Sequence, residues 1–215
     1  MSLAADLFFS FRSPYSYLAV DRYRQLAEAY AVDIALRPVY PLAIREPDFF
    51  ERNHPNWLRY TMLDMFRVAQ FEGIPFGPPR PDPIVQDVAT RRIAGEQPYI
   101  RRITRLGQAA ARRGKGLAFA AEAGRLIWGG AEGWHEGEHL AGAAQRAGLD
   151  LAELDEEVRR DAEALDAEIA ENQRALEGAG HWGVPTLIFD GEPFFGQDRI
   201  AMARWRMEQK GLQPR

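Results

Sequence analysis

Two strand–helix signatures at opposite ends of the 215-residue chain constrain its fold more than any other feature. At the start, Leu7 to Phe11 is an apolar run rich in phenylalanine, the pattern of a buried strand. Ser13 and Pro14 follow it in the N-cap and N1 positions of a helix. A serine hydroxyl can accept an otherwise orphan N–H there, and proline has no N–H to leave unpaired. Tyr15, Leu18, Ala19, Leu26, Ala27 and Tyr30 recur on one face of that helix. Val32, Ile34 and Leu36 then alternate with Asp33, Ala35 and Arg37, which predicts a second strand. Such a unit usually makes a right-handed crossover between parallel strands. At the other end, Gly183-Val184-Pro185-Thr186 leads into a strand from Thr186 to Phe189. Asp190-Gly191 supplies a hairpin turn, Pro193 to Phe195 returns, and a helix from about Asp198 to Lys210 stops at Gly211.

Between about Pro41 and Gly180, helical periodicity dominates. It predicts helices from Trp57 to Glu72, from Pro83 or Ile84 onward, through Pro98–Arg113 as one or two, from Leu117 to Trp128, and from about Glu136 to Ala147. Leu151, Leu154, Val158, Leu165, Ile169 and Leu176 predict a long amphipathic helix or a pair. The order is β-α-β, many helices, then β-β-α. This is an α/β chain in which residues 1–40 and 181–215 form one domain and residues 41–180 an inserted helical domain.

The chain has no cysteine, so dithiol redox chemistry and thiolate metal sites are excluded. A net charge of −4 gives no general attraction to nucleic acid or to anionic membrane. No apolar run approaches a membrane span, and the first residues lack the features of a signal peptide, so a cytoplasmic location is expected. His135-Glu136-Gly137-Glu138-His139 matches a zinc-protease motif. Gly137 lies between the histidines, and Gly129, Gly130 and Gly133 crowd the segment, which argues against a stable metal-binding helix. Arg101, Arg102, Arg105, Arg112, Arg113 and Lys115 form a basic stretch without interleaved aromatics. Acidic residues between Glu153 and Glu171 are the natural partners for it. His54 and His181 have no evident nucleophile partner, although His181 lies close to Pro185 in sequence.

Residues Phe8-Phe9-Ser10-Phe11-Arg12-Ser13-Pro14-Tyr15-Ser16-Tyr17-Leu18-Ala19 resemble the opening of the 2-hydroxychromene-2-carboxylate isomerases. Those enzymes belong with the kappa-class glutathione transferases in the DsbA-like group. Gly183-Val184-Pro185-Thr186, followed by Phe194-Phe195-Gly196-Gln197-Asp198-Arg199, resembles their C-terminal signature. Tyr60, Asp64 and Arg67, followed by Gly73-Ile74-Pro75-Phe76, fit a weaker pattern between them. The chain departs from the family at Trp57, where a lysine is frequent, and at Pro81-Asp82-Pro83, where an asparagine is usual. The resemblance implies a thioredoxin-like fold with a large helical insertion, bound glutathione, a small aromatic substrate and a homodimer.

Ser13 would then be catalytic, standing where a thioredoxin fold carries the first cysteine of Cys-x-x-Cys. Its hydroxyl, at a helix N-terminus that favours negative charge, could donate to the thiolate of glutathione. Such a bond is worth roughly 1.5–3 kcal/mol. Arg12 adds positive potential if it points inward. A cis Pro185 would leave the Val184 N–H and C=O free to pair with the cysteinyl backbone of the tripeptide. The resemblance puts the γ-glutamyl end near Gln197 and Asp198, where Asp198 could equally be a plain N-cap. Tyr15, Trp57, Tyr60 and Trp182 are candidate aromatic walls for the second substrate, with Arg45 or Arg59 as its cation. The implied activity is isomerisation of an aromatic enone acid by reversible thiolate addition. A glutathione transferase and a non-catalytic binding module remain as alternatives.

Overall fold

The computed structural model describes residues 2–46, 48–49, 54–87 and 92–215. Strand β1 (Leu3–Phe9), helix α1 (Pro14–Ala29) and strand β2 (Val32–Pro38) form the first unit. Strands β1 and β2 run parallel, with Leu3 opposite Val32 and Phe9 opposite Pro38. After the helices come β3 (Thr186–Phe189) and β4 (Glu192–Phe195), which add to the free edge of β1 in antiparallel fashion. The sheet order is β2-β1-β3-β4. Both ends of the chain therefore share one sheet, as their patterns predicted. The β3–β4 turn has Asp190 and Gly191 at positive φ, 52° and 77°. That geometry matches the right-handed twist of the flanking strands, and Asp and Gly tolerate it.

Helices α2 (Leu42–Arg45), α3 (Pro55–Glu72), α4 (Pro98–Arg112), α5 (Gly116–Trp128), α6 (His139–Arg146), α7 (Leu151–Arg160) and α8 (Ala162–Gly178) lie between β2 and β3. The amphipathic pattern after Leu151 is thus a pair, interrupted at Asp161. A 3₁₀ turn (Gln197–Arg199) and helix α9 (Ile200–Gln209) close the chain. A continuous cluster of buried side chains joins the sheet to the inserted helices: Phe9, Phe11 and Leu36 pack in it with Ile103, Phe119 and Trp128. Phe11 sits edge-on to both Phe9 and Phe119, at 5.0 and 6.1 Å between centroids.

Two expectations shift. The helix foreseen from Pro83 or Ile84 is absent among the described residues; residues 88–91 lie outside them. Side chains satisfy the backbone there instead. Asp82 accepts the Ile84 N–H at 2.9 Å, and buried Gln97 accepts the Val85 N–H while donating to the Val85 and Ala94 carbonyls. Helix α6 begins at His139, not near Glu136, because Gly133 and Gly137 adopt positive φ. His135 therefore lies outside the helix that His139 starts, and among the described residues no cluster could hold a metal. Among the same residues no helix is long and apolar enough to cross a membrane.

The basic stretch on α4 is answered by acids on α7 and α8. Arg102 meets Asp155 at 2.7 Å, Arg105 meets Asp166 at 2.6 Å, and Arg112 meets Glu157 and Glu168 at 2.7 and 2.5 Å; Arg113 also binds Glu157. Burial raises the Glu157 and Asp166 carboxyls, but hydrogen bonds from arginines outweigh it and hold both below their ordinary values. Hydrogen bonding to Arg112 does the same for Glu168. Depressed carboxyl pKa values contribute stability that is fully present above the unfolded values, about 4, and is lost as pH falls through the folded ones. The contribution of these pairs to stability should be nearly flat from pH 7 to 5 and fall below about pH 4. Thermal melts of Glu157→Gln/Glu168→Gln should show a shallower acid drop than wild type. Parallel curves would show that these pairs do not govern acid stability.

Candidate functional site

The N-terminus of α1 and the turn before β3 meet because β1 and β3 are neighbours in the sheet. Ser13 is the N-cap of α1, half-buried, and its Oγ accepts the Ser16 N–H at 3.2 Å. The same hydroxyl donates to the Val184 carbonyl across the sheet at 3.3 Å. The Val184–Pro185 bond is cis. Among the described residues the Val184 N–H has no partner, while its carbonyl takes the Ser13 hydroxyl. Only half of the expected free backbone pair is therefore free. Pro185 accepts the Gly196 N–H at 2.9 Å, which ties the turn to the end of β4. With Pro14 at N1 and the Ser16 N–H held by Ser13, the first turn of α1 still offers the Tyr15 N–H to an anion.

Arg12 does not supply a free cation. Its guanidinium is clasped by both Asp82 oxygens, at 2.5 and 2.6 Å, and lies 5.2 Å over the Trp128 ring. Trp128 is itself buried, donates its indole N–H to the Phe11 carbonyl at 3.0 Å, and stacks on Phe76. The α1 start is thus fixed to the inserted segment by an ion pair to the stretch between α3 and α4, and to α5 by a cation–π contact and a hydrogen bond. Asp82 was legible as a departure from the family, but its pairing with Arg12 joins residues 70 positions apart.

The four candidate aromatic walls divide into two groups. Tyr15 and Tyr60 both donate to the Asp64 carboxylate, at 2.7 and 3.4 Å. Burial and then the Asp64 bond push the Tyr15 phenol well above its ordinary pKa, so it stays protonated. Trp57 and Trp182 instead flank Phe49, with centroids 5.8 and 5.2 Å from it. Arg45, on α2, is spent on backbone carbonyls, those of Tyr40 at 2.6 Å and Trp182 at 3.1 Å, while Arg59 is exposed on α3. His54 caps α3 by accepting the Asn56 N–H.

Gln197 and Asp198 lie in the 3₁₀ turn ahead of α9. Arg22 of α1 binds the Gln197 carbonyl and side-chain oxygen at 3.0 and 2.9 Å, and reaches Glu72 at 3.1 Å. Asp198 makes no capping bond to the helix; it is exposed and pairs with Arg199 at 2.5 Å. The plain N-cap role considered for it does not hold, because the 3₁₀ turn carries the chain past it before α9 begins. Sequence reasoning missed Arg22, Phe49 and Phe195. Phe195 carried a weak signal: it is the outward member of a Phe-Phe pair on the short β4, exposed where Phe194 is buried.

A model of the DSBA-like thioredoxin domain matches residues 4–208. No curated protein matches the chain. Among solved structures it resembles a 2-hydroxychromene-2-carboxylate isomerase at 23% identity and a TM-score of 0.70, covering 96% of this chain and 95% of that one. It also resembles the cytosolic disulfide reductase DsbM from Pseudomonas aeruginosa, with 20% identity, a TM-score of 0.65, and coverage of 97% and 99%. The same reductase solved with GSH matches at 18% identity and a TM-score of 0.60, with 97% and 100% covered. At these identities the likeness establishes the fold: a thioredoxin-like sheet completed by both ends of the chain, with helices inserted between.

Proposed function

The chain belongs to the DSBA-like thioredoxin domain family, and from that premise we propose a glutathione-dependent isomerase of the 2-hydroxychromene-2-carboxylate type. The observation that carries this reading is a hydroxyl in place of a thiol: Ser13 Oγ caps α1 and touches Val184 O. A family that includes disulfide reductases needs a reactive sulfur, and this chain has no cysteine. In this reading the sulfur comes with a ligand. Resemblance in fold to an isomerase and to a reductase solved with GSH supports glutathione as that ligand.

The residues fit the tripeptide. The Val184 N–H, which has no partner among the described residues, offers an extended ligand one donor for backbone pairing, and its carbonyl joins it once the Ser13 hydroxyl turns away. The Ser13 hydroxyl, loosely held at 3.3 Å, can turn to donate to a thiolate. The Tyr15 N–H and the positive end of α1 add to the same negative charge. Gln197, held by Arg22, and the exposed Asp198 carboxylate, now paired with Arg199, would hold the γ-glutamyl end, with Asp198 the acceptor for its ammonium. Bound there, glutathione would supply a thiolate able to add to a conjugated double bond and leave again after rotation. The chain's own share is to lower the thiol pKa, to orient the small aromatic partner and to stabilise the developing enolate.

Calorimetric titration with glutathione, followed by turnover of a hydroxybenzylidene pyruvate, tests this. Saturable binding and net isomerisation without thiol consumption are expected. Stoichiometric thiol loss would make the protein a transferase, and the absence of glutathione binding would leave a binding module.

A further inference from the structure

We propose that Asp82, acting through Arg12, is a positioning residue that sets how strongly the Ser13 position stabilises a thiolate. Its carboxylate holds the guanidinium beside Ser13 and cancels its charge. The inference rests on the proposed function for the identity of the anion, and deepens it by naming what tunes the same site.

Arg12 and Ser13 are adjacent, with Cα atoms about 3.8 Å apart. The turn that contains them closes where the Ser13 N–H donates to the Ser10 carbonyl at 3.0 Å. Both Asp82 oxygens and the face of Trp128 hold the guanidinium in place. Asp82 is fixed in turn. Its Oδ1 also accepts the Ile84 N–H at 2.9 Å, and the residues before it are tied to the loop after α5. There the Trp134 indole donates to the Pro81 carbonyl at 2.8 Å and the Gly133 N–H to the Arg80 carbonyl at 2.9 Å. A bidentate pair between two such anchored segments keeps both charges at set places relative to Ser13. The two side chains are 28% and 31% exposed, so solvent screens them only in part.

The halves of the pair act on a thiolate with opposite sign. Arg12 alone would favour it and Asp82 alone would disfavour it. Paired, they leave its stabilisation to the helix N-terminus and the hydroxyl. The other titratable or charged groups around the α1 start are Tyr15, Tyr60 and Asp64 from α1 and α3, His181 before β3, and Asp198 with Arg199 after β4. Substitutions of Arg12 and Asp82 leave all of these in place.

Because the chain has no cysteine, Ser13→Cys introduces a single thiol that reads the local field without glutathione. Its ionisation, followed by the rate of iodoacetamide alkylation against pH, should lie below the ordinary thiol value of about 8.5. Adding Asp82→Asn, which keeps an oxygen for the Ile84 N–H, should lower it further by about half to one unit. Adding Arg12→Met, which keeps an apolar stem over Trp128, should raise it by a similar amount. Adding both should bring it back close to that of Ser13→Cys alone. Melting curves confirm that each variant is folded. Loosening of the turn alone would move the two single substitutions in the same direction. Shifts of the same sign, or none in either, would therefore overturn the proposal. Should Ser13→Cys fail to fold, Asp82→Asn and Arg12→Met on the wild-type chain should move the pH–rate profile of isomerisation to lower and higher pH respectively, and an unmoved profile would overturn it equally. Opposite thiol shifts without glutathione binding by wild type would leave the role of Asp82 standing and remove the proposed function; saturable glutathione binding without shifts would do the opposite.

Discussion

Ser13→Ala is expected to lower glutathione-dependent turnover about ten- to a hundredfold while changing glutathione affinity by less than about threefold. The split follows from what the hydroxyl touches. In the proposed complex the tripeptide would pair with the Val184 N–H and its γ-glutamyl end with Gln197 and Asp198, and neither contact needs Ser13's proton, so binding should survive. The hydroxyl can donate only one proton, now given to Val184 O at 3.3 Å. Redirected to a sulfur, it would stabilise the thiolate form and not the neutral thiol. Losing that donor raises the thiol pKa by about one to two units. The pH–rate profile of Ser13→Ala should therefore move to higher pH and recover part of the loss in alkali. Alanine also removes the acceptor for the Ser16 N–H, at a cost of about 1 kcal/mol in helix capping. Ser13→Gly, which as an N-cap costs only about a few tenths of a kcal/mol but has no hydroxyl to donate, separates the two effects. Unchanged turnover in a folded Ser13→Ala protein would reduce Ser13 to a cap.

Trp128→Ala should destabilise the fold by about 3–5 kcal/mol, the largest effect expected of any substitution near the site. The indole is buried at the end of α5, stacks on Phe76 at 5.6 Å and 9°, and lies under Arg12. Its N–H satisfies the Phe11 carbonyl in the segment that leads from β1 to Ser13. Removing it opens a cavity between the sheet and the inserted helices and orphans that carbonyl. Trp128→Phe keeps most of the ring and loses only the hydrogen bond, so about 1 kcal/mol is expected. Urea denaturation of both variants measures the difference. Similar small losses for the two would mean that the neighbouring rings close over the gap.

The strands and α1 were legible because their signals are local. Alternation in Val32 to Leu36 requires only one buried face, and Ser13-Pro14 marks a helix start wherever it occurs. Asp190-Gly191 specifies its turn through two residues alone. The helix foreseen near Pro83 failed because a remote amide, Gln97, satisfies the backbone there better than a helical turn would. The aromatic walls show the same boundary. Tyr15, Trp57, Tyr60 and Trp182 were recognisable as residue types, but Asp64 and Phe49 decide which of them belong together.

By itself, the sequence determined the order of elements, the serine at the helix start, the proline before β3 and the lack of any thiol. Each of these depends on chain chemistry or on spacing within a few residues. Only the tertiary structure decided that Arg12 is neutralised by Asp82, that Ser13 rests on Val184, and that His181 and Phe195 stack beside Trp182. All but the contact between neighbouring His181 and Trp182 join residues separated along the chain. Their energies depend on distances and ring orientations that exist once β1 and β3 lie side by side in the sheet.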